Sequence, residues 1–119
     1  MAFLDRKPLF LGHCLLVPFT HCETLTDLPE NLVAPLFSAA KLLAQAVQTA
    51  LRADGSFIAI NNRVSQSVNH LHIHVVPRRK GDGLKGFFWP RRKYESPEQA
   101  MSISNAIRLA IEGLRSGRS

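Results

Sequence analysis

Apolar positions recur along the chain in two rhythms, one of short runs and one of helical spacing. Residues Ala2 to Asp5 read as the end of a strand. After a break through Lys7, Pro8 and Gly12, the run Cys14-Leu15-Leu16-Val17 reads as a short buried strand ended by Pro18. Asp27 can then cap a helix with Glu30 three positions on, and Leu32, Leu36, Leu43, Val47 and Leu51 keep one face apolar. Pro35 lacks a donor and clashes with the preceding turn, which predicts a kink or a start later than Asp27. Asp54-Gly55 is expected to close this helix, because glycine tolerates a left-handed backbone. Phe57 to Ile60 reads as a strand, as does Val68 to Val76, rich in β-branched residues and stopped by Pro77. Gly81, Gly83 and Gly86 make residues 78–95 an irregular loop whose apolar content is Phe87-Phe88-Trp89. Ser96-Pro97-Glu98-Gln99 opens a second helix with a serine cap and a glutamine closing the capping box, and Ile103, Ile107, Ala110 and Leu114 give it one face to bury. The sum is an α+β domain built on an antiparallel sheet.

Composition narrows the setting. At 119 residues and 45% hydrophobic content, residues 1–119 fit a single domain with one core. No apolar stretch approaches the roughly 18 residues of a membrane span, and Asp5 and Arg6 do not suit a secretory signal, so a cytoplasmic protein is expected. Cys14 and Cys22 are too few and wrongly spaced for a disulfide framework and read as fillers. The net charge of +6 gathers in Arg78-Arg79-Lys80 and Arg91-Arg92-Lys93, joined by a glycine-rich stretch with Lys85. Charge alone favours a solvated loop over a nucleic-acid surface.

The chemistry lies in His70-Leu71-His72-Ile73-His74-Val75-Val76. In a strand, His70, His72 and His74 would share one face about 7 Å apart, with Leu71, Ile73 and Val75 on the other. Packing does not favour three imidazoles in register, since each polar ring needs partners. Zinc binding is one reading, but no cysteine or carboxylate stands near the run to complete a site. Covalent catalysis is the other: an unprotonated imidazole attacks phosphorus while its neighbours handle protons and charge.

The run resembles the signature of the histidine triad (HIT) superfamily, His-x-His-x-His followed by two apolar residues. Phe3-Leu4-Asp5-Arg6, Gly12-His13, Leu16-Val17-Pro18 and His21 look like that family's second and third strands. Asp27-Leu28-Pro29-Glu30 looks like the start of its long helix, Gln66-Ser67-Val68 resembles its phosphate loop, and Gly81-Asp82-Gly83 is similar to bacterial members. The resemblance implies a HIT-like antiparallel sheet with one long helix and a C-terminal helix. It also implies attack by His72 on the α-phosphate of adenosine phosphoramidates or dinucleoside polyphosphates, through a nucleotidyl-histidine that water resolves. His74 would bind the phosphate and assist the leaving group as a protonated ring, and His70 and His21 would form the supporting hydrogen-bond chain. Gln66 and Ser67 would contact the phosphate or leaving group, Asp5 the ribose hydroxyls and Phe3 the base, while His13 matches a structural position.

Most members begin some tens of residues earlier, with a short helix and a hairpin strand that wall off the base pocket. The chain is therefore expected to lack the usual N-terminal helix and first strand, which leaves a non-catalytic nucleotide- or polyanion-binding protein as the alternative. Many bacterial relatives carry an upstream Cys-x-x-Cys that holds zinc with the equivalents of His21 and His70. That half-site is missing, and no metal or other cofactor is expected. The loop from Asn61 to Ser67 is shorter than usual and has Ser65 where glycine is common, which leaves the leaving-group amide between Asn61 and Asn62, with Asn62 preferred. Family members usually pair through the long helix, so a homodimer is expected, with a nucleotide as substrate.

Overall fold

A computed structural model describes residues 1–84 and 91–117. The chain forms two compact units, Met1–Leu84 and Lys85–Ser119. In the first unit, β1 (Ala2–Leu4), β2 (Cys14–Leu16), α1 (Glu30–Leu51), β3 (Gly55–Ala59) and β4 (Ile73–Arg78) follow in chain order. The strands build one antiparallel sheet ordered β1-β2-β4-β3. In the second unit the helix α2 spans Pro97–Ser116. The Phe87-Phe88-Trp89 expectation lies outside the described residues.

The sheet buries one face against α1. Leu36, Ala40, Ala44 and Val47 form the buried stripe of the helix and meet Leu16, Leu71, Ile73 and Val75. The two alanines in mid-stripe let the helix axis come close to the strands. Leu71, Ile73 and Val75 are fully buried, each contributing about 1.5–3 kcal/mol of apolar transfer. This stripe holds the histidine strand in register, because a slip by one residue would put His74 into the core.

The structure refines the pattern reading at several points. The helix α1 starts at Glu30, later than Asp27 as expected, but Asp27 does not cap it and instead accepts from the Thr24 amide and hydroxyl in a 3-10 turn over Leu25–Asp27. The left-handed residue that ends α1 is Arg52 (φ 52°), with the Ala53 amide reaching the Gln48 carbonyl, and Gly55 already belongs to β3. The strand expected from Val68 begins only at Ile73, so His70 and His72 precede it. It also runs through Pro77. Arg78 presents its carbonyl to Asp54 beside β3, so alternation turns Pro77 toward β2, which has ended at Cys14 opposite Val75; no partner awaits the missing proline donor. Finally, Ile103, Ile107, Ala110 and Leu114 of α2 are exposed, because α2 is the one regular element described within its own unit.

The α2 start is capped as expected. Ser96 Oγ accepts from the Gln99 amide, while the Gln99 side chain accepts from the Glu95 amide rather than from Ser96.

Candidate active site

The sheet face opposite α1 carries a cavity of about 630 Å³. Strand register assembles it: Phe3 lies opposite Leu15, and Leu15 opposite His74, so alternation puts all three on one face of three adjacent strands. Asp5 extends the β1 pairing by donating its amide to the His13 carbonyl at 2.9 Å. Phe3, Asp5, Arg6, Ser67, His70, His72 and His74 line the cavity over an apolar floor that includes Leu15 and Val17.

The three histidines of the run are held in different ways. His70 donates Nε2–H to the Pro18 carbonyl at 3.2 Å, which leaves its Nδ1 to accept from Nδ1 of the exposed His21 at 3.0 Å. The Leu71 amide donates to the Cys22 carbonyl and fixes the chain between the two rings. His72 donates Nδ1–H to the His70 carbonyl at 2.8 Å. A carbonyl only accepts, so a neutral His72 keeps its lone pair on Nε2. His74 stands edge-on to His72, ring centroids 5.0 Å apart, so the expected 7 Å ladder is replaced by a tighter contact. The cause is the late start of β4: residues outside a pleated strand need not obey its spacing.

His13 is the residue the sequence reading undervalued. It is buried, its Nε2 lies 2.9 Å from His74 Nδ1 and 3.6 Å from Asp5 Oδ2, and its Nδ1 accepts from the Leu9 amide at 3.0 Å. A signal was available in the alternation: residues 13, 15 and 17 share one face of β2, and Leu15 and Val17 line the cavity. Burial lowers the pKa of both His13 and His74; in His74 the neighbouring His72 and His13 act in the same direction, and Asp5 opposes it in both. Burial and these neighbours thus disfavour the charged form of His74 in the ligand-free chain.

Asp5, His13 and His74 bring ligand atoms within 4.8 Å of one another. A cation there would need a lone pair on His13 Nε2, yet the Leu9 amide occupies Nδ1 and leaves the proton of the neutral ring on Nε2. The donor set suits a hydrogen-bond chain better than a metal.

Asn62 and Gln66 do not line the cavity. Asn62 Oδ1 accepts from the Leu25 amide, while Gln66 accepts from the Arg63 amide and donates to the Glu23 carbonyl, so both tie the loop to the segment before α1. His21 reaches the site through His70. The basic cluster after β4 is partly spent within its own turn: Arg78 grips Asp82 through Nε and Nη2, which holds that carboxyl well below its usual range, and Arg79 donates to the Leu51 carbonyl.

Residues 1–81 match the family model for the HIT domain. A HIT-like protein of Mycobacterium tuberculosis is 38% identical over 86 residues, which cover 71% of this chain and 60% of that protein. The asymmetrical bis(5'-nucleosyl)-tetraphosphatase of Schizosaccharomyces pombe is 34% identical, over 68% of this chain and 46% of its own. The crystal structure of a HIT family member from Bacillus subtilis superposes with a TM-score of 0.78 at 33% identity, covering 90% of this chain and 78% of that one. Among the described residues, no helix is long and apolar enough to cross a membrane. The family match takes in every element that builds the cavity, and the chain belongs to the histidine triad (HIT) family.

Proposed function

We propose that the Met1–Leu84 unit is a nucleotide hydrolase or transferase that attacks an α-phosphate with His72 Nε2. The observation that carries this reading is the hydrogen bond from His72 Nδ1 to the His70 carbonyl, which leaves the opposite nitrogen unprotonated beside a cavity of nucleotide size. An Nε2–P bond forms as the bond from phosphorus to the leaving group breaks; water then attacks phosphorus, the N–P bond breaks and the ring is restored. Adenosine phosphoramidates and dinucleoside polyphosphates fit this scheme, and the second class agrees with the name of the S. pombe relative. Phe3 supplies an apolar surface for the base, Asp5 an acceptor for ribose hydroxyls, and Ser67 a hydroxyl at the phosphate. Gln66 and Asn62 serve by shaping the loop that carries Ser67. A homodimer through α1 would bury part of the helix surface between Leu32 and Leu51, on which Phe37 is exposed.

Intact-mass analysis after brief exposure to an adenosine phosphoramidate should show one added nucleotidyl group, absent in His72→Ala. Turnover at the same rate in His72→Ala would overturn the mechanism, and ligand binding by the native chain without adduct or turnover would make it a binding protein.

A further inference from the structure

We infer that His13 is a positioning residue that holds His74 as a donor through Nε2, and that the direction of this bond originates at the backbone amide of Leu9. The inference rests on the reading of His74 as the ring that meets the phosphate.

A backbone amide can only donate, so its 3.0 Å contact makes His13 Nδ1 an acceptor. The neutral ring then carries its proton on Nε2, 2.9 Å from His74 Nδ1. His74 Nδ1 must accept, and the single proton of neutral His74 is left on Nε2. Protonating His74 on Nδ1 would set two N–H groups against each other at that distance, so the contact opposes the charged ring. Burial and His72 act in the same direction, while Asp5, the carboxylate lining this cavity, opposes them. His72 is wired the other way, because its backbone partner is a carbonyl. Two adjacent rings thus hold opposite tautomers: His72 offers a lone pair and His74 offers an N–H to a phosphoryl oxygen, and neither needs to gain or lose a proton first.

The turn between β1 and β2 is built to keep His13 in place. Gly12 has φ 99°, a left-handed conformation that strains any residue with a Cβ, and the side chain of Leu51 packs against the same point. The His13 amide donates to the Phe10 carbonyl at 3.0 Å and its carbonyl accepts from Asp5, so its backbone is clamped on both sides. With its backbone so held, the His13 ring keeps Nδ1 against the Leu9 amide and Nε2 against His74.

Two variants separate the contacts. His13→Asn keeps an acceptor near the Leu9 amide but withdraws the donor from His74; His13→Gln can reach His74 with an amide N–H. Nitrogen-15 NMR of the ligand-free protein should place the His74 proton on Nε2. In His13→Asn the two tautomers should mix and the His74 titration midpoint should rise toward the ordinary histidine value. Its kcat should fall about 10- to 100-fold with KM little changed, and His13→Gln should recover part of that loss. A His74 proton found on Nδ1 in the native protein overturns the inference, as does a folded His13→Asn with unchanged tautomer and pH profile. The NMR measurement needs no substrate, so it decides the matter even if His72 forms no adduct.

Discussion

Two histidine pairs flank His72 at nearly equal ring separations, 5.2 Å for His13–His74 and 5.1 Å for His21–His70, yet they are built on opposite plans. His13 is buried against the β1–β2 turn and ends on a backbone donor, the Leu9 amide. His21 is exposed, and its partner His70 ends on a backbone acceptor, the Pro18 carbonyl. The backbone group at the end of each pair decides where its proton sits. On one side it leaves an N–H on His74, in the cavity; on the other it spends the His70 N–H on the chain itself. The buried pair therefore shapes the ligand-facing chemistry, whereas the exposed pair holds the peptide whose carbonyl orients His72.

The largest test of that difference is to break each pair in turn. Under the proposed mechanism, His74→Ala removes a phosphate donor and should slow nucleotidylation of His72 by about 10²- to 10³-fold, the usual cost of one preorganised donor. His21→Ala leaves the His70 carbonyl in place through the Pro18 contact and the Leu71 amide, and should slow the same step less than about tenfold. Burst kinetics with a chromogenic leaving group measure both. Equal losses would show that the two pairs do the same work.

A smaller effect separates the pairs in stability. Because His13 and His74 titrate lower in the fold than in the unfolded chain, the unfolded state takes up their protons first as pH falls. Their contribution is complete well above the ordinary value of about 6.5 and is lost as pH drops below it toward the lowered folded values. Urea midpoints should fall between pH 7.5 and pH 5.5, and fall less in His74→Asn, which has no ring to protonate there. A midpoint that rises on acidification would contradict the direction of these shifts.

These contrasts bear on what the sequence could reveal. The histidine motif named His70, His72 and His74, and the resemblance to HIT proteins named Phe3 and Asp5; all five line the cavity, because strand parity carries over from sequence to sheet face. His13 obeys the same parity, but parity alone gives its face and not its role, which arises from a contact with a residue 61 positions away. The limits of β4 were misplaced because hydrophobic pattern does not say where neighbouring strands stop: Pro77 is admitted only because β2 has already ended. For α2 the apolar stripe was legible, but periodicity does not supply the surface that would cover it.

The smallest predicted effect sharpens the contrast between buried and exposed order. The loop from Asn61 to Ser67 has no core to rest on, and it holds Arg63 and Ser65 at φ 69° and 60°, a region that costs an L-residue about 1–2 kcal/mol. Side-chain bonds from Gln66 to the Arg63 amide and the Glu23 carbonyl offset that strain. Glycine at the position of Ser65 would relieve it, although the added freedom of the unfolded chain returns part of the gain. Ser65→Gly should therefore raise stability by less than about 1 kcal/mol, read as a higher urea midpoint at constant m. The tautomer of His74 should be untouched, since it is set from the other side of the cavity. A lowered midpoint would mean that Ser65 is at ease where it stands, and that the strain of this loop resides in Arg63.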